Sequence, residues 1–175
     1  SHGKAVGAII DGVPSGIKLS TDDIIFDISK RKPNNSKYST NRSEEDLVEI
    51  LSGTFEGKTT GTPISLIIYN KNFIKKDYET LKNTFRPGHA DLTYNLKYGF
   101  RDYFGGGRSS GRETVARVAS GAIARKLLKE FNIKIYSYTS SIGKINISNN
   151  IDLKFAEKNE LKIPCKNAYE ESIKL

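Results

Sequence analysis

Leu47-Val48-Glu49-Ile50-Leu51-Ser52-Gly53-Thr54-Phe55 is followed, after the turn Gly57 to Gly61, by Thr62-Pro63-Ile64-Ser65-Leu66-Ile67-Ile68-Tyr69. The first run alternates, with Leu47, Glu49 and Leu51 on one side and Val48 and Ile50 on the other. Alternation of this kind reads as a strand with one buried face. The second run is β-branched and apolar, and the glycines between them supply a turn. Residues 47–69 therefore read as an antiparallel pair. Upstream, Lys4 to Val13 reads as a small-residue strand closed by the turn Pro14-Ser15-Gly16.

Helices surround these strands. Ser20-Thr21-Asp22-Asp23 offers an N-cap with acids in the first turn, and a helix follows to about Lys30, with Ile24, Ile25 and Ile28 on one side. It stops before Pro33. Lys30 to Arg42 is polar and basic and reads as a surface loop. Asp77 to Asn83 fits a short helix, and another runs from the turn at Asp91 to about Tyr98. The firmest helix starts near Gly111, where Val115, Val118, Ala119, Ala122, Ile123 and Leu127 share one face, and it ends at Asn132. Ile133 to Tyr138 alternates as a strand, and Ile142 to Ile147 is expected to continue the sheet. This order of elements predicts an α+β fold with antiparallel pairing.

At 175 residues with 37% hydrophobic content, the chain is long enough for one core without a disulfide or metal staple. Neither a repeat nor a linker is visible, so residues 1–175 read as a single domain. No apolar run reaches the ~18 residues of a membrane span, and no basic leader precedes an apolar segment. The expected setting is the cytoplasm. The single cysteine, Cys165, follows Pro164 in a sparse loop and suits a reducing compartment better than nucleophilic work.

The formal charge is +8, from 28 basic and 20 acidic residues. Such a balance points to nucleic acid, an anionic membrane face or a phosphorylated ligand. Of eight arginines, six lie between Arg86 and Arg125. Clustered guanidiniums suit bidentate capture of phosphate or carboxylate. Arg117 and Arg125 read as the charged outer face of the long helix.

Four constellations stand out. Gly105-Gly106-Gly107-Arg108-Ser109-Ser110-Gly111-Arg112-Glu113 places three glycines and two arginines at a helix start, with Ser110 and Glu113 spaced as a capping box. Close backbone approach and a helix N-terminus favour an anion there. The spacing matches neither the P-loop nor the dinucleotide fingerprint. A purely structural turn is the competing reading. Arg86-Pro87-Gly88-His89-Ala90-Asp91 holds a histidine in a tight turn, with Asp91 placed to orient its ring and Arg86 to meet an anion; a satisfied surface histidine is the alternative. Ser1-His2-Gly3 by itself looks like a tag remnant. Arg31-Lys32-Pro33-Asn34-Asn35-Ser36-Lys37 suits a basic flap or a solvated loop. With only His2 and His89 present, a histidine-rich metal site is excluded, and no zinc spacing occurs.

Taken in order, these segments resemble the chorismate synthase family. The resemblance runs through Ser1-His2-Gly3, Asp11-Gly12-Val13-Pro14-Ser15-Gly16, Arg31 to Thr40, Leu51 to Ile64, Asp77-Tyr78, Phe85 to Asp91, Lys97-Tyr98-Gly99 and Arg101-Asp102-Tyr103 to Thr114. It implies an anti-1,4-elimination of phosphate from 5-enolpyruvylshikimate 3-phosphate, giving chorismate in the shikimate pathway of aromatic amino acid biosynthesis. It also implies reduced FMN as cofactor, with no net redox change. NADPH enters only where the same protein reduces its own flavin.

By this resemblance His2 is the general acid toward the leaving phosphate, and His89 keeps the flavin in its reactive protonation state. Arg108, Ser109 and Ser110 belong to the flavin site. Arg31, Lys37, Arg86 and Arg101 are expected to meet the substrate or its phosphate. The partner is a phosphorylated small molecule, with no nucleic acid and no membrane, and the assembly a homotetramer. The implied fold is a sandwich of antiparallel sheets and helices, of which this chain is the N-terminal portion. The helix-like run Asn167 to Leu175 is then a cut element, not a terminus.

Three positions depart from the pattern: Phe104 replaces a basic residue, Gly111 an alanine, and Lys37 an arginine. Two readings compete with the enzyme. One is an inert half that keeps an anion site. The other is a nucleic-acid binder stacking bases on Tyr98, Tyr103 and Phe104.

Overall fold

The computed structural model describes residues 3–32, 45–71, 81–103 and 110–175. The chain gathers into two compact units, Ser1–Asn132 and Ile133–Leu175. A compact unit is not by itself a separately folding domain, so the single-domain reading stays an expectation.

The first unit is built on a three-stranded antiparallel sheet of order β1-β5-β2, with β1 at Ala5–Ile10, β2 at Val48–Ile50 and β5 at Ile64–Tyr69. The register pairs Val6 with Ile68, Ala8 with Leu66 and Ile10 with Ile64. Val48 also meets Ile68. Period-2 alternation therefore puts Ile64, Leu66, Ile68 and Val48 on one face, where all four are buried.

That face is covered by α1 (Thr21–Arg31) and α3 (Thr114–Glu130). Ile24 and Ile28 come from α1, and Val115, Ala119, Ala122 and Ile123 from α3, all in the same apolar cluster as the sheet residues. Fully burying each large aliphatic side chain contributes roughly 1.5–3 kcal/mol. The helical period read from the sequence matches this face, with Val118 only partly buried and Leu127 at its rim.

Ser20 caps α1 reciprocally: its hydroxyl accepts from the Asp23 N–H, and the Asp23 carboxylate accepts from the Ser20 N–H at 3.0 Å. Two ion pairs then tie α1 to α3. Lys126 donates to Asp23 at 2.8 Å and holds its carboxyl below the usual range. Arg125 donates to the buried Asp27 at 2.6 Å. Arg125 is thus a bridge between helices, whereas Arg117 stays on the outer face and pairs with Glu113 one turn away.

The strand expected over residues 47–55 is interrupted. Gly53 sits at φ +79 with no room for a Cβ, which would come within 2.8 Å of Ile64 and Pro63 atoms. The chain bends there, and Ser52 fastens the bend by donating to the Pro63 carbonyl and accepting from the Ser65 N–H. β3 (Thr54–Phe55) then pairs with β4 (Lys58–Thr59) as a separate hairpin. The turn before Asp91 leads into α2 (Asp91–Tyr98), closed by Gly99 at φ +70. The short helix expected over Asp77 to Asn83 falls mostly outside the described residues.

In the second unit, Ile133 to Tyr138 forms no strand, and Ile135 and Tyr136 are exposed. Alternation alone leaves a strand without its ladder, and no described strand pairs with this run. Ile142 to Ile147 likewise does not extend the three-stranded sheet. It makes its own hairpin from β6 (Ser141–Ile142) and β7 (Ile145–Asn146). α4 (Leu153–Lys158) and α5 (Lys166–Ile173) follow. They are joined by a buried Asn159 whose amide both accepts from the Ile163 N–H and donates to the Ile163 carbonyl. Phe155 and Tyr169 pack edge to face at 5.6 Å.

Cys165 is not in a loop, as the sequence suggested, but is the N-cap of α5. The Ala168 N–H, the Ser148 hydroxyl at 3.2 Å and neighbouring N–H groups pull its thiol down to about 7. Because the folded value is depressed, its contribution to stability is present above the ordinary thiol range and is lost as pH falls through about 7. We expect iodoacetamide alkylation of Cys165 to rise with a midpoint near 7, and Ser148→Ala to move that midpoint upward. A midpoint at the ordinary thiol value would show that α5 does not hold the thiolate.

Candidate functional site

The last residue of α1 is Arg31, and its guanidinium reaches the start of the long helix. Nε donates to Thr114 Oγ1 at 3.1 Å, and Nη2 lies 3.5 Å from the Gly111 carbonyl. Nη1 is 3.4 Å from Asp46 Oδ2. The other oxygen of Asp46 accepts from Nη1 of Arg112. Arg112 Nε in turn donates to the Asn70 side-chain carbonyl at 2.9 Å. Asn70 closes the chain of contacts by donating its amide to the Gly3 carbonyl at 2.9 Å, and its backbone N–H to Lys4.

Five distant stretches of sequence thus meet: Gly3, the end of α1, the segment before β2 at Asp46, the residue after β5 and the entry to α3. Among the contacts between described residues, two guanidiniums share one carboxylate. The helix start beside it spends its first N–H groups locally, with Glu113 donating to the Ser110 carbonyl and Thr114 to the Gly111 carbonyl. Ser110 stands at that end, and its hydroxyl accepts from the Arg112 N–H at 3.2 Å. The expected capping box with Glu113 does not form in this geometry. The first turn, Gly111–Glu113, is a 3₁₀ turn, so the hydroxyl meets the second N–H instead of the third. The Glu113 carboxylate goes to Arg117. Arginine guanidiniums can hold a phosphate or a carboxylate.

A second cluster surrounds Asp91, which is 2% exposed. Arg86 donates to it from its backbone N–H, from Nε at 3.0 Å and from Nη2 at 3.1 Å. Arg101 Nη1 lies 3.4 Å away. These hydrogen bonds, Arg86 first, hold the Asp91 carboxyl below the usual carboxylate range against the opposing effect of burial. Arg101 Nη2 also sits within 3.1 Å of the carbonyls of Leu81, Lys82 and Thr84.

This corrects one reading. Asp91 does not orient the His89 ring, because its oxygens are taken by arginines. The ring is held by Pro87 instead, whose carbonyl is 3.0 Å from Nδ1. Arg101 is 7% exposed, and its contacts with three carbonyls brace the 81–91 turn. Arg86 shares the brace while remaining more exposed, at 16%.

Among the predicted site residues, the structure brings Arg31 and Ser110 together in the first cluster and His89, Arg86 and Arg101 together in the second. His2, Lys37, Arg108 and Ser109 lie outside the described residues. The sequence reading missed Asp46, Asn70 and Thr114. Asp46 sits in the acidic run Glu44-Glu45-Asp46, which looks like solvated surface. Its one local signal is a backbone at φ +51, and that appears only in three dimensions. Among the described residues no helix is long and apolar enough to cross a membrane.

Comparison with known proteins bears on these clusters. A family model described as chorismate synthase matches residues 1–175. The chain is 53% identical over 169 residues to a chorismate synthase of Agathobacter rectalis, covering 96% of this chain and 46% of that protein. It is 58% identical over 147 residues to one of Lachnoclostridium phytofermentans, covering 84% of this chain and 40% of that protein. A solved structure described as chorismate synthase superposes with a TM-score of 0.72 at 35% identity, over 99% of this chain and 49% of that one. The chain spans about half the length of the relatives it matches. A family model matching the whole chain, a shared fold and identity above half over most of its length agree, and the chain belongs to the chorismate synthase family.

Proposed function

We propose that this chain is the N-terminal portion of a single-domain lyase that eliminates phosphate from 5-enolpyruvylshikimate 3-phosphate to form chorismate. The observation that carries the reading is the first cluster, where Arg31 and Arg112 meet at Asp46, Arg112 reaches Asn70, Asn70 holds Gly3, and Ser110 caps the turn that carries Arg112. An elimination of this kind needs a cationic pocket for the departing phosphate and a proton donor beside it. The two arginines of the cluster support the first, and His2 directly precedes in sequence the Gly3 that Asn70 anchors.

The donor set also fits a phosphate-bearing cofactor. Guanidinium forks and a helix N-terminus are what a flavin phosphate requires, and Arg108, Ser109 and Ser110 are the residues we assign to it. Reduced FMN, when bound, supplies the electron density that loss of an unactivated proton and a phosphate demands. The chain's own residues do the rest. Arg31 and Lys37 hold the substrate phosphate, Arg86 contributes an anion contact, His2 protonates the leaving group, and His89 attends the flavin ring. Arg101 braces the turn that carries His89. A homotetramer in the cytoplasm is proposed on family grounds alone.

The test is an anaerobic assay of the complete protein with photoreduced FMN and 5-enolpyruvylshikimate 3-phosphate. We expect chorismate and inorganic phosphate in equal amounts. No chorismate, with His2 and His89 intact, would overturn the reading. The half-length match favours a second reading for the chain in isolation, an anion-binding piece without turnover. The same assay on the 175 residues alone decides it, with phosphate bound and no product formed as the expected result.

A further inference from the structure

We infer that Asp46 is the positioning residue of the phosphate site, setting the separation and direction of the Arg31 and Arg112 guanidiniums. The inference rests on the anion-site reading given above and deepens it. Asp46 is 2% exposed on its side chain, Arg112 9% and Arg31 21%. Each carboxylate oxygen takes a different arginine, Oδ2 facing Arg31 and Oδ1 facing Arg112. The two arginines come from elements far apart in sequence, the end of α1 and the entry to α3. A single buried carboxylate between them fixes the distance between two forks that would otherwise repel.

The backbone supports this role. Asp46 holds φ +51, a left-handed conformation that most residues avoid. The neighbouring residue is fastened as well: the Glu45 carbonyl accepts from Lys32 at 2.6 Å, and its carboxylate pairs with Lys71. The backbone around Asp46 is thus held in place, and the buried carboxylate is fixed by its two arginine contacts. The ligand class is a phosphate monoester, carried either by the flavin or by the substrate.

Charge alone and positioning predict opposite signs. Removing a carboxylate beside a cationic site strengthens anion binding if only Coulomb attraction matters. If Asp46 sets the geometry, its loss lets the guanidiniums separate, and anion binding weakens. Asp46→Asn separates the two, because Asn tolerates the left-handed backbone nearly as well as Asp.

The experiment follows the Arg31 and Arg112 Nε–H signals by ¹⁵N NMR in the 175-residue chain, then titrates inorganic phosphate, FMN and shikimate 3-phosphate separately. We expect two slowly exchanging Nε–H signals in the native chain. In Asp46→Asn both should broaden, and affinity for phosphate should fall about tenfold, as expected for losing hydrogen bonds to a charged group. Whichever of FMN and shikimate 3-phosphate loses affinity in parallel identifies the source of the phosphate. Unchanged Nε–H signals, or phosphate binding that holds or tightens, would overturn the inference. A native chain with ordered Nε–H signals but no affinity for any of the three anions would instead overturn the anion-site reading, and the phosphate role of Asp46 with it. If Asp46→Asn does not fold, Asp46→Glu keeps the charge but moves it by a methylene. It should show shifted signals and a loss of about threefold; native signals and affinity there would also overturn the inference.

Discussion

His89→Ala, in the complete protein, is expected to lower turnover about 10²–10⁴-fold, the range for removing a group that manages a proton at a reacting centre. His89 is exposed, in a turn held by Gly88 at φ +73 and Ala90 at φ +53. A carbonyl can only accept, so the 3.0 Å contact with the Pro87 oxygen assigns the hydrogen to Nδ1. That leaves Nε2 as the nitrogen presented to a ligand. The ring packs into no core, so its removal should change stability by no more than about 0.5 kcal/mol. Turnover should therefore fall while thermal unfolding stays put and substrate affinity weakens only modestly. His2→Ala should lose turnover comparably. Wild-type rates in either variant would remove that histidine from the proposed chemistry.

Asp91→Asn has the second large effect, and it acts on stability. The substitution keeps the shape but removes the carboxylate charge that Arg86 and Arg101 share. Breaking a buried pair by removing one partner costs about 3–5 kcal/mol. Arg86 retains some solvent, so the low end, about 3 kcal/mol, is expected. Hydrogen exchange across residues 81–103 should report it, since Arg101 ties three carbonyls of that stretch to the same centre.

The pH dependence has a definite sign. The folded Asp91 carboxyl is held below its unfolded value, so its stabilisation is fully present above the unfolded carboxylate pKa of ~3.9. It is lost as pH falls through the lower, folded value. Native and Asp91→Asn chains should therefore converge in stability at strongly acidic pH and diverge above ~4. Equal stability at neutral pH would show that the two arginines find other partners.

Much of the fold was legible because it follows local chemistry. Ser20 and Asp23 announced a helix start, and the apolar face from Val115 to Ile123 repeated at helical spacing. Ile64 to Tyr69 formed the central strand of an antiparallel sheet, as its composition implied. Where the reading failed, a partner was at issue. Ile133 to Tyr138 has the alternation of a strand, but a strand exists only by pairing, and pairing is not written in one segment. Asp91 lay at the right spacing to serve His89, yet two guanidiniums outcompete an imidazole for a buried carboxylate.

By itself the sequence determined the family, the α+β class and a helix start capped by Ser110. It also picked out the two histidines that the proposed chemistry uses. These depend on residue type and short spacing, which survive without coordinates. Only the tertiary structure decided that Arg31 and Arg112 meet at Asp46, that Arg112 reaches Asn70 and Asn70 holds Gly3, and that Arg101 braces the 81–91 turn. The physical reason is charge compensation at a distance. Which arginine a buried carboxylate neutralises depends on where α1, β5 and α3 are packed, and that packing is set by an apolar core shared among residues a hundred positions apart.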